Sequence, residues 1–135
     1  MTFVHTHRVR YHETDAQGFL FNSRYLDLAD VAMTEFFRAL GWPYMELIVQ
    51  GVDPSVVSAS LSFVKPVHFD DVLEVEVSCS RVGRSSFDLE LSVTRDGAQV
   101  ASIAMVYVNV DATAKESQPL PAPIARALST QRSSS

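Results

Sequence analysis

Residues 23–40 read SRYLDLADVAMTEFFRAL, and their spacing decides the fold class. Tyr25, Leu28, Ala29, Ala32, Met33, Phe36, Phe37 and Leu40 recur at steps of three and four, with Arg24, Asp27, Asp30, Glu35 and Arg38 opposite them. That is the period of an amphipathic helix. Eight apolar positions in eighteen make a stripe too wide to leave in water. Asn22 or Ser23 can cap the start, while Gly41 and then Pro43 supply the stop. Such a helix needs a sheet to cover it, so the flanking sequence must provide one.

Outward from the helix the pattern changes. A short helical turn is expected over Tyr44 to Gln50, and beyond Gly51 the period becomes two. Val57, Ala59, Leu61 and Phe63 alternate with Ser58, Ser60 and Ser62; Leu73, Val75, Val77 and Cys79 with Glu74, Glu76, Ser78 and Ser80; Phe87, Leu89, Leu91 and Val93 with Asp88, Glu90, Ser92 and Thr94. Three strands with one buried face follow from this alternation. Residues 81–84 and Asp96-Gly97 punctuate hairpins, which predicts antiparallel pairing of consecutive strands. Ala98 to Val110 is apolar on both faces, which predicts cover on both sides, from the helix and from a partner subunit. Towards the N-terminus, residues 3–12 alternate as a strand, and residues 13–21 read as a loop holding Asp15 and Gly18. After Asp111, prolines at 119, 121 and 123 and a terminal Ser-Ser-Ser predict an extended, partly disordered tail with at most one turn near Ile124 to Leu128. The chain therefore divides into one α+β domain over residues 1–112 and a Pro/Ser-rich tail over 113–135.

Composition bounds the function. A chain of 135 residues that is 47% hydrophobic and 20% charged is long and apolar enough for one core. Its net charge of −5 argues against affinity built on nucleic-acid phosphates. No apolar run reaches the length of a bilayer span, and residues 1–13 lack the apolar core of a signal peptide, so no membrane partner and a cytoplasmic location are expected. The single cysteine, Cys79, falls on the apolar phase of its strand and reads as a small buried hydrophobe.

P-loop, nucleophile-elbow and zinc-protease motifs are absent. His5 and His7 share a strand face, but a metal would need a further ligand from His12 or His68, so no metal site is expected. The stretch from Tyr11 to Tyr25 is more informative. Asp15 lies seven residues before Asn22, with Gly18 between them to turn the chain back. The first amides of a helix lack internal partners and can hold a developing oxyanion. An Asp beside them can attack an acyl carbon or take a proton from water. The same spacing also suits an Asp15 that only closes a turn and a Glu13 that only faces solvent.

The pattern Tyr11, Asp15, Gly18, Asn22, Tyr25 resembles the opening motif of hotdog-fold acyl-CoA thioesterases of the 4-hydroxybenzoyl-CoA thioesterase type. Residues 62–73 are similar to that family's second strand and turn, and residues 83–87 to its third hairpin, so the resemblance runs from about Val4 to Val110. It implies a five-stranded antiparallel sheet wrapped around one long central helix, assembled into dimers or tetramers. It implies an acyl-CoA thioesterase, with Asp15 as nucleophile or general base and the amide at Asn22 polarising the thioester carbonyl. Many relatives carry His or Tyr at the Asn22 position, so the resemblance points to that backbone amide. Gly18, Tyr25, Ser60 and Phe63 are then substrate-binding candidates, and Gly83, Arg84, Ser85 and Ser86 match the hairpin that meets CoA. No cofactor is implied, since coenzyme A belongs to the substrate. An acyl-carrier-protein thioesterase and a non-catalytic acyl-thioester-binding module are the alternatives. A hotdog dehydratase fits less well, because Glu35 lies on the helix's polar face.

Overall fold

The computed structural model describes residues 2–131. Strand β1 (Phe3–Arg8) leads through a 3-10 turn at Tyr11–Glu13 to helix α1 (Arg24–Ala39) and the short helix α2 (Tyr44–Val49). Strands β2 (Pro54–Phe63), β3 (Val72–Val82), β4 (Ser86–Arg95) and β5 (Ala98–Asp111) follow, then the two-residue strand β6 (Glu116–Ser117) and helix α3 (Ala122–Thr130). The main sheet has the order β1-β3-β4-β5-β2, and every pairing is antiparallel. Thus β3, β4 and β5 pair consecutively as the hairpin signals require. β2 instead pairs β5, so the chain must cross the end of the sheet to begin β3.

The expected helix is present, and its apolar stripe faces the sheet. Tyr25, Leu28, Ala29, Ala32, Met33, Phe36 and Phe37 are all buried. Phe36 meets Phe3 edge-on at 5.9 Å, Phe37 meets Phe87 at 5.6 Å, and Phe87 stacks on Tyr107 at 5.2 Å. Each fully buried side chain of this size contributes ~1.5–3 kcal/mol by leaving water. The helix stops as the glycine signal requires. Gly41, at φ +107°, lets its own N–H reach Arg38 O (3.0 Å) and that of Trp42 reach Phe37 O (2.9 Å), a Schellman cap.

Four expectations change. The first strand ends at Arg8, because the Tyr11–Glu13 turn replaces its far end. The predicted inner face of β2 is open in the single chain, with Val57 58% and Phe63 50% exposed, because β2 is the sheet's edge. On β5 the residues Ala101, Ile103, Met105 and Tyr107 are buried, whereas Ala104 is exposed and Val106, Val108 and Val110 are half-buried on the other face. The tail is folded well past residue 112. Pro121 caps α3 and Pro123 sits in its first turn, where the missing N–H costs nothing.

Ile124 and Leu128, one turn apart on α3, are fully buried and enter the same cluster as α1 and Cys79. The Cys79 N–H also donates to Gln131 O at 2.8 Å. α1 itself has sixteen residues, about 24 Å at 1.5 Å per residue, and it shares the closing of the core with α3. The terminal serines of the expected tail lie outside the described residues. Among the described residues, no helix is long and apolar enough to cross a membrane.

If α3 is integral to the core, Ile124→Ala should cost ~2–5 kcal/mol in urea unfolding, the range for a buried Ile truncation. A peripheral tail would lose under ~0.5 kcal/mol, as ordinary surface positions do.

Candidate active site

The crossover from β2 to β3, residues 64–71, runs over the end of the sheet where α1 begins. Val64 and Lys65 both donate their N–H groups to Val100 O, at 2.8 and 3.1 Å. Arg95 donates from Nη1 to Pro66 O (3.0 Å) and to Asp71 Oδ2 (2.8 Å), and the His68 N–H reaches the same Oδ2 at 2.8 Å. Burial works against an ionised Asp71, but the His68 amide and the Arg95 guanidinium outweigh it and hold the carboxyl below its ordinary range. The crossover is therefore clamped before it meets the loop in front of α1.

That loop is a tight turn. Thr14 bridges Leu20, Asp15 N–H donates to Phe19 O (2.8 Å), and Gly18 N–H donates to Asp15 O (2.9 Å). Gly18 has φ +81°, a conformation that a residue with a Cβ reaches only under strain. Leu20 N–H then bonds Val67 O at 2.7 Å, and the Phe19 and His68 rings meet edge-on at 4.9 Å, joining loop to crossover. Asp15 Oδ1 accepts the N–H groups of Gln17 (2.8 Å) and Phe19 (3.2 Å). Its Oδ2 has no intramolecular partner among the described residues.

Neither Asn22 nor Ser23 caps α1 through its side chain. Ser23 is already in helical conformation, and the N–H groups of Arg24, Tyr25 and Leu26 turn back to the carbonyls of Phe21, Asn22 and Ser23 at 2.9, 3.3 and 3.2 Å. The N–H groups of Asn22 and Ser23 are left without an acceptor among the described residues. Asp15 and Asn22 line one cleft of about 380 Å³ together with Tyr25, Phe63 and the crossover residues Val64 to Val67. Tyr25 meets Phe63 edge-on at 5.1 Å. Burial, opposed by Arg95, raises the Tyr25 phenol above its usual pKa and keeps it neutral.

The structure thus brings together Asp15, Asn22, Tyr25 and Phe63, with Gly18 shaping the turn. Ser60 does not belong with them. It is three residues from Phe63 on a strand of period two, and it lies on the outer face beside Ser62, Ser102 and Ala104. The hairpin Gly83 to Ser86 is also remote within one chain. Ser86 pairs Val108 while Phe63 pairs Ala101, and those seven residues of β5 span about 24 Å. A Cβ at Gly83 would lie 2.6 Å from Arg81 Nη1 and 2.9 Å from Ser86 Oγ, so a larger residue there would displace the Arg81 guanidinium from its place on the hairpin. Arg81 is bound to Ser86 Oγ (2.8 Å) and Asp88 (2.9 Å), whereas the exposed Arg84 side chain has no partner among the described residues.

The sequence reading missed Gln17, Phe19, Leu20, Lys65, Pro66 and Val67 as lining residues. Lys65-Pro66, directly after an alternating strand, was the available signal for a chain leaving the sheet. Cys79 is buried as expected. His7 is bound to Glu13, and among the described residues no group of three or more His, Cys, Asp and Glu side chains could hold a metal.

Residues 9–128 match the family model of the thioesterase-like superfamily. A putative esterase of Aquifex aeolicus is 33% identical over 75% of this chain and 79% of its own length. A 1,4-dihydroxy-2-naphthoyl-CoA hydrolase of Nostoc punctiforme is 27% identical over 98% of this chain and 90% of its own. The structure of a gentisyl-coenzyme A thioesterase superposes with TM-score 0.84 at 29% identity, covering 90% of this chain and 98% of that one. With its loop aspartate and Asn22, just before α1, lining a single cleft, the chain belongs to the thioesterase-like superfamily, the hotdog-fold thioester hydrolases.

Proposed function

We propose that this chain hydrolyses an acyl-CoA thioester to the free carboxylic acid and coenzyme A, with Asp15 as general base or nucleophile. The observation that carries this reading is that Asp15 and Asn22 line one cleft, while Asp15 Oδ2 and the Asn22 N–H have no partner among the described residues. The Nostoc relative and the gentisyl-coenzyme A thioesterase, both named for CoA thioesters, support coenzyme A as the carrier.

In the general-base form, Asp15 takes a proton from water as the water oxygen bonds to the carbonyl carbon. The carbonyl oxygen becomes an oxyanion and accepts the Asn22 N–H, in a hydrogen bond that strengthens as charge develops on the oxygen. Collapse breaks the C–S bond, and the departing thiolate takes up the proton. In the nucleophilic form the Asp15 carboxylate bonds to the carbonyl carbon first, CoA leaves as the thiolate, and water then cleaves the resulting anhydride. Both forms require an ionised carboxylate and no cofactor.

The hairpin at Gly83 to Ser86 enters this reading through a second subunit. β2 is an edge strand with Val56, Val57 and Phe63 exposed. Two copies joined antiparallel along β2 would place the Phe63 end of one beside the Pro54 end of the other. Ser55 and Ser86 both neighbour Val108, so the partner's hairpin would approach the Asp15 cleft. Gly83, Arg84, Ser85 and Ser86 would then serve CoA in trans, with the Arg84 guanidinium on a phosphate.

Asp15→Asn should keep the fold by circular dichroism and lower kcat on acyl-CoA by ~10²-fold or more, as loss of a general base does. A wild-type rate of thiol release from a panel of acyl-CoA and acyl-carrier-protein substrates would reduce Asp15 to a turn residue. Arg84→Ala should raise KM for acyl-CoA with kcat nearly unchanged, and have far less effect on acyl-pantetheine. Mixing Asp15→Asn protomers with Arg84→Ala protomers should restore the low KM in hybrid dimers. No recovery on mixing would remove the shared site.

A further inference from the structure

Glu13 precedes Asp15 by two residues, and the hydrolytic chemistry makes no use of its carboxylate. The sequence alone suggests that it faces solvent, yet its side chain is 12% exposed and bound to β1. His7 Nε2 lies 2.9 Å from Oε1 and 3.1 Å from Oε2, and the Arg10 N–H donates to Oε1 at 2.7 Å. Contact with both oxygens requires Nε2 to carry the proton, whatever the charge of the ring. Burial raises the Glu13 carboxyl, but the Arg10 amide, the His7 bond and the nearby His7 and His12 rings more than reverse it, so the group stays ionised.

The backbone of the same residue faces the other way. Glu13 O accepts the Phe21 N–H at 2.9 Å, and Phe21 O accepts the Arg24 N–H at 2.9 Å. One residue therefore links three parts: β1 through its side chain, the Asp15 arm through the chain, and the start of α1 through its carbonyl. Asn22 follows Phe21 directly. Because the Asp15 arm and the Phe21–Asn22 segment both hang from Glu13, a shift of Glu13 relative to β1 would carry the Asp15 carboxylate and the Asn22 N–H together, relative to the crossover wall of the cleft that the end of β1 holds through the Val9 N–H and Asp71 O. The turn itself would survive such a shift, since Asp15, Gly18 and Phe19 hold it by their own bonds.

We propose that His7 and Glu13 are positioning residues, whose bond fixes the reacting carboxylate and the oxyanion amide, as one unit, against the crossover wall of the cleft where the acyl group would lie. The inference rests on Asp15 as the reacting group. Misplacement by about 1 Å costs ~10²-fold in rate, so partial loosening should be visible in kcat while the protein remains folded.

The test compares His7→Ala, His7→Gln and Asp15→Asn in the full chain, each with a urea-unfolding curve to fix the folded fraction at assay temperature. His7→Ala should lower kcat by ~10-fold or more with KM within about two-fold, because neither residue of the pair touches substrate. His7→Gln should recover most of that loss, because a carboxamide N–H can donate to the same carboxylate. A wild-type kcat in His7→Ala alongside an inactive Asp15→Asn would overturn the brace and leave the catalytic assignment standing. Equal losses in His7→Ala and His7→Gln would also overturn it, since the effect would then be lost ring packing. An active Asp15→Asn would remove the catalytic assignment, and the brace with it.

Discussion

The wide apolar face of α1 is the constraint from which the rest follows. It can be buried against only one side of a sheet, which forces that side to be apolar along β3, β4 and β5 and leaves the serines and glutamates to the other. The aromatic chain from Phe3 through Phe36, Phe37 and Phe87 to Tyr107 fixes the far half of the helix across the strands. The Tyr25 and Phe63 contact fixes its beginning at the end of the edge strand. Once the helix start is held there, the β2 to β3 crossover and the loop before α1 compete for the same space. They resolve it by bonding to each other through Leu20 and Val67. The cleft is what remains between them.

Periodicity made α1 and the strands legible, because it records burial within one chain. It failed where burial depends on something else. β2 alternates as a half-buried strand should, yet Val57, Ala59 and Phe63 are exposed and only Leu61 packs partly on the core, since alternation cannot say whether the cover comes from the same chain. The tail was misread for the opposite reason. Three prolines in five residues suggest extended chain, but proline also suits the first turn of a helix, and Ile124 with Leu128 carried the buried face of α3 in only two residues. At the site, Asp15, Gly18 and Asn22 could be found because the turn and the helix start are local in sequence. Ser60, of opposite strand parity to Phe63, lies on the other face of the sheet, away from the cleft within one chain. Lys65 and its neighbours, which line the cleft, come from a crossover whose path depends on strand order, and local pattern does not encode strand order.

A structural account and a catalytic account of Asp15 are not rivals, because they use different oxygens. The turn needs one acceptor, and Oδ1 meets that need by taking the Gln17 and Phe19 amides. The proposed hydrolysis needs an acceptor or nucleophile that is not already engaged, and Oδ2, without a partner among the described residues, would meet that one. The two amides on Oδ1 also hold the carboxylate in one orientation, so the turn would fix the placement of the oxygen that the proposed hydrolysis uses. The division also explains why an aspartate suits this place better than a glutamate. A longer side chain could reach into the cleft, but it could not close the same turn from residue 15, and a reactive oxygen on a free arm loses the fixed geometry on which its rate depends.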